Sequence, residues 1–134
     1  MNNFNPPNVA PPMGKFSHVA VVPAGHRLAF VSGQVGADAT GAIVPGGCRA
    51  QAARTFENLE TVLDALGVGP DKIVKMLTVL VGEDSFREFA LARDEVFARW
   101  YPDGVFPAHS AAVVAALAAP ELAVEIEAVV AIPE

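Results

Sequence analysis

The apolar positions along the 134-residue chain change period several times, and each change marks an element. "SHVAVV" (17–22) and "RLAFVSG" (27–33) are short β-branched runs around "PAGH", which predicts two strands joined in a hairpin. Between Cys48 and Leu66 the spacing becomes helical, with Phe56, Leu59, Leu63 and Leu66 on one side and Arg54, Glu57, Glu60 and Asp64 on the other. Gly67 stands where a left-handed residue ends such a helix. "KIVKMLTVLV" (72–81) is almost wholly apolar and predicts a strand. A second amphipathic helix follows over about 85–100, with Phe86, Phe89, Val96, Phe97 and Trp100 as its apolar side. "YPDGVFP" breaks it, and two strands over about 109–117 and 122–132 flank "AAPE". Residues 1–13 hold four prolines and four asparagines and predict a flexible, extended arm with no ladder of its own, leaving 14–134 as a single domain.

The predicted order is ββαβαββ, an α+β fold in which two helices cover one face of a mixed sheet. The strands are nevertheless apolar on both sides, as with Val113 and Ala115 against Val114 and Ala116. Hydrophobic residues make up 52% of the chain and charged residues 18%. A domain this small has too little interior to hide that much apolar surface, so the uncovered face is expected to meet another copy of the chain.

Charge and cysteine content narrow the function classes. The net charge is −6 and no dense basic run exists, which argues against a nucleic-acid partner. The single cysteine, Cys48, excludes an internal disulfide and a cysteine-rich zinc site, and fits a cytoplasmic protein. His18, His26 and His109 are scattered, so no metal site is expected, and no cofactor fingerprint is present. No apolar run reaches the ~18 residues of a membrane helix, and the N-terminus lacks the layout of a signal peptide.

Three places carry candidate chemistry. In "LAVEIEAVVAI", strand alternation puts Glu125 and Glu127 on one face about 7 Å apart, either as a pair suited to moving a proton or as two ordinary solvent-facing residues. In "FVSGQVG", Gly33 leaves the backbone bare to an approaching ligand and Ser32 adds a hydroxyl, as in a binding loop or a plain strand exit. In "FPAHSAAVVAAL", His109 opens an apolar strand as an anion anchor, a base or a polar strand edge.

"SGQVG", "QAARTFENLETVLDALG", "DKIVKMLTVLV", "FPAHSAAVVAAL" and "VEIEAVVAI", in this order, resemble the RidA (YjgF-type) family of reactive-intermediate deaminases, some of whose members carry the older description endoribonuclease. The resemblance runs from about Pro12 to Ile132. It implies a chorismate-mutase-like fold, a homotrimer with small-molecule clefts between subunits, and hydrolysis of enamines and imines to a carbonyl compound and ammonia. By position it makes Glu125 the water-activating glutamate and places Gly33 with Ser32 in the pocket. It also implies differences. His109 stands at the carboxylate-binding arginine of "PARS", Ala111 at a frequent cysteine, and Phe16 at a pocket tyrosine. Those differences imply a substrate other than the usual small imino acid, or alternatively a non-catalytic trimer that binds a metabolite. An anion held by His109 is expected to bind more tightly as the pH falls and the imidazolium forms.

Overall fold

A computed structural model describes residues 1–134. The elements are β1 (Asn2–Phe4), β2 (Val19–Val21), β3 (His26–Val35), α1 (Gly47–Leu66), a 3₁₀ turn at Pro70–Lys72, β4 (Ile73–Leu80), α2 (Ser85–Trp100), β5 (Ala108–Val113) and β6 (Val124–Pro133). The two helices lie within a residue or so of their expected bounds, and Gly67 ends α1 in the left-handed conformation, φ 73°.

Four strands form the main sheet in the order β3-β6-β4-β5. β6 runs antiparallel to both of its neighbours, and β5 runs parallel to β4. One face carries α1 and α2. There Val124, Ile126, Ala128 and Val130 of β6, with Met76 and Leu80 of β4, pack under Phe56, Leu59, Phe89 and Phe97, all nearly fully buried. The opposite face is bare, and Phe30 on it is 76% exposed.

The expected hairpin is not formed. β2 pairs with β1, and β3 pairs with β6 from His26↔Pro133 to Val35↔Glu125. Pro23, just past β2, has no N–H for a ladder, while β6 offers β3 a ten-residue apolar partner. The N-terminal arm also has the ladder it was expected to lack, with Asn2, Asn3 and Phe4 opposite Val21, Ala20 and Val19. Its asparagines act as ties. Asn3 Nδ2 donates to the Phe106 carbonyl at 3.0 Å, and Asn5 Oδ1 accepts from the His18 N–H at 2.8 Å. β5 stops at Val113 rather than 117 because its partner β4 stops at Leu80; beyond that pair only the Val114 N–H still reaches β4, donating to the Leu80 carbonyl.

A candidate active site in two halves

The sheet register decides which candidate residues can meet. His109 lies opposite Met76, and Ala111 opposite Thr78. Met76 and Thr78 lie opposite Ala128 and Ile126. Paired residues share a face, so His109 and Ala111 point to the helix side. Glu125 lies opposite Val79 and Val35 and so points to the bare side. The expected site residues therefore occur as two groups on opposite faces of one sheet.

The helix-side group surrounds a cavity of about 250 Å³ lined by Phe16, Phe86, Phe89, Arg93, His109 and Ala111, with Met13, Gly14 and Lys15 at its rim. Residues 13–16, the first half of α2 and the start of β5 supply it. Phe16, His109 and Ala111 all line this one cavity. His109 Nε2 and Thr78 Oγ1 share a 2.7 Å hydrogen bond, and the Phe89 and Phe97 rings stand 6.1 and 6.4 Å from the imidazole. Burial, then the Arg93 and Lys75 charges, push the His109 pKa down to about 4. His109 is thus a wall of this cavity whose burial favours the neutral imidazole. The cations on the wall are Arg93 and Lys15, which the sequence reading passed over.

The bare-side group forms around a bulge in β3, where the register with β6 slips between Val31 and Gln34. Gly33 sits in the slip. A Cβ on Gly33 would lie 2.5 Å from Glu125 Cδ and 2.8 Å from Oε2, so the glutamate folds over the bare glycine backbone. No side chain or backbone N–H within the chain is hydrogen-bonded to the Glu125 carboxylate, and no cation pairs with it. Ser32 is exposed nearby and lines a shallow groove with Phe30, Glu127 and Val129. Gly33→Ala is expected to leave the melting temperature within a few degrees, because the clash falls on the movable end of a side chain. Any reaction that uses Glu125 is expected to slow about a hundredfold, since misplacing a reacting group by ~1 Å costs that much. Thermal melts beside rate measurements check both.

No group of three or more metal-ligating side chains occurs, and no helix is long and apolar enough to cross a membrane. Cys48 is buried, its thiol directed at the Ser85 carbonyl at 3.4 Å, and burial raises its pKa, which disfavours the reactive thiolate.

Comparison with known proteins agrees across sequence and fold. A family model described as endoribonuclease L-PSP matches residues 7–132. RutC family protein UK114 of Drosophila melanogaster is 37% identical over 123 residues, covering 91% of this chain and 83% of that protein. A Bos taurus 2-iminobutanoate/2-iminopropanoate deaminase is 35% identical over 106 residues, covering 78% and 72%. Among solved structures, a Rid-family protein of Yersinia pestis superimposes with a TM-score of 0.78 at 33% identity, over 96% of each chain.

Proposed function

Because this chain belongs to the RidA (YjgF-type) family, we propose that it hydrolyses enamine or imine intermediates to a carbonyl compound and ammonia, at clefts built between the subunits of a homotrimer. The observation that carries the reading is the split site. Glu125 with Gly33, and the cavity with His109, Phe16 and Ala111, face away from each other in one chain. They form one site only if the bare face of one copy meets the cavity side of the next. The exposed Phe30 and Leu28 give that bare face an apolar surface for docking.

In this site Glu125 takes a proton from water as the water oxygen bonds to the imine carbon and the C=N π pair moves to nitrogen. The tetrahedral carbinolamine then collapses. The glutamic acid has by then returned its first proton to the nitrogen, so the carboxylate takes the carbinolamine hydroxyl proton as the carbonyl forms and passes it to the nitrogen as the C–N bond breaks, and ammonia leaves. No metal or cofactor enters the balance. The Gly33 backbone, bare beneath the carboxylate, gives the substrate a close approach.

Phe16 and Ala111 bring no hydroxyl or thiol to the wall, and Phe86 and Phe89 extend it. The substrate is accordingly an imine with a larger apolar side chain than the smallest imino acids. The acidic balance of the chain favours a small molecule over RNA. Imines generated freshly by an amino-acid oxidase or a dehydratase test the proposal. Keto-acid release above the uncatalysed rate, from a species three times the 14.0 kDa of one chain by light scattering, is expected. A monomer mass, or ligand binding without turnover, would defeat it, the latter in favour of a metabolite-binding trimer.

A further inference from the structure

The cavity holds a guanidinium whose hydrogen-bonding capacity the fold leaves partly unused. Arg93 follows Phe89 by four residues on α2, so both lie on one helix face. Its Cζ sits 5.7 Å from the centre of the Phe89 ring, and its side chain is only 12% exposed. Nε and Nη2 each donate to Asp94 Oδ1 at 3.1 Å. That fixes the plane of the group and engages two of its five N–H donors. Both N–H groups of Nη1 and the second of Nη2 have no partner in the protein. Nη1 lies beside Gly14 at the rim of the cavity, 3.9 Å from where a Cβ there would stand.

The edge left open, Nη1 with Nη2, is the one that takes a carboxylate through two parallel bonds. Lys15 adds a second positive charge on the wall, held 3.7 Å from Asp94 Oδ1, and no carboxylate lines the cavity. The rest of the lining is mostly Met13, Phe16, Phe86, Phe89 and Ala111. An acid group at the Arg93 end with an apolar side chain along the phenylalanines matches this wall.

We infer that Arg93 is the ligand-binding cation of the cleft, gripping the carboxylate of a 2-imino acid from helix α2, and that this replaces an arginine at the strand position held by His109. The inference rests on the imine-hydrolase reading for the nature of the ligand. It narrows that reading to imines that carry a carboxylate next to the reacting carbon and an apolar side chain.

The test uses 2-oxobutanoate, a keto acid of the product class, and 2-oxobutanamide, of the same shape without the charge. Each is titrated by calorimetry into the parent, Arg93→Met and Arg93→Lys, with thermal melts to confirm folding. Arg93→Gln serves if the methionine variant does not fold. Arg93→Met is expected to bind 2-oxobutanoate about ten- to a hundredfold more weakly and to bind the amide as the parent does. Arg93→Lys, with charge but no fork, is expected to lie between. On freshly generated 2-iminobutanoate the loss is expected in KM more than in kcat. Equal affinity of parent and Arg93→Met for the keto acid, or no binding by the parent, overturns the assignment. If the parent still turns imines over in that case, the hydrolase reading stands without it. A parent that hydrolyses no imine but loses keto-acid affinity on Arg93→Met retains Arg93 as the anion site and removes the hydrolase reading instead.

Discussion

Glu125→Gln is expected to slow imine hydrolysis by about 10²- to 10⁴-fold, the usual contribution of a positioned general base, while keto-acid affinity and melting temperature stay near those of the parent. The substitution keeps the size and planarity of the side chain and removes its basicity. The fold tolerates it because the carboxylate accepts no hydrogen bond and forms no ion pair within the chain, and its stem rests on Gly33. A variant as fast as the parent would take the proton-transfer role away from Glu125. The same variant tests whether the two halves come from different subunits. Glu125→Gln spoils the bare-side half, and Arg93→Met spoils the cavity half. If a site joins one half from each of two copies, randomly mixed trimers of the two impaired proteins rebuild about one site in four. With substrate well below KM, refolding the two together is then expected to restore about a quarter of parental activity, against at most about a tenth for either alone. A site contained within one chain would restore nothing.

The helices were legible in the sequence because a local period determines them. Phe56 to Leu66 and Phe86 to Trp100 state their own spacing, and Gly67 marks an end that any L side chain resists. Pairing was not legible, because local sequence lets β3 pair with β2 or β6, and the ten-residue partner that decides it, β6, lies almost a hundred residues away. The position of Glu125 on the bare face was legible from alternation, since Val124, Ile126, Ala128 and Val130 had to be the buried set. The face and burial of His109 were not, because they follow from its parallel pairing to Met76. Arg93 did leave a signal that went unused. Four residues after Phe89 and four before Phe97, it interrupts the apolar stripe of α2 with a charge. A charge inside such a stripe calls for a partner, and Asp94, the next residue, engages only two of its five N–H donors.

His109 is expected to make the fold sensitive to acid. The unfolded chain takes up a proton on this residue near pH 6.5, whereas the folded chain resists it down to about 4. Between those values the unfolded state binds more protons, so stability rises with pH across the window. It is complete above about pH 6.5, declines as the pH falls toward 4, and declines no further through this residue below that. The span corresponds to roughly 3 kcal/mol. The cause is physical crowding by the wrong neighbours. Phe89 and Phe97 exclude water from the ring, Arg93 and Lys75 supply positive charge, and Thr78 offers a hydroxyl that is content with the neutral imidazole. His109→Gln keeps a polar partner for Thr78 and cannot titrate. Denaturant melts at pH 7.5 and pH 4.5 are expected to show the parent losing a few kcal/mol more than this variant, the carboxylates common to both cancelling in the comparison. The same neutrality reverses the expectation drawn from the sequence for binding. With Arg93 as the cation, keto-acid affinity is expected to stay level between pH 6 and 8, and an affinity that rose steadily as the pH fell through 6.5 would place the charge on His109 after all.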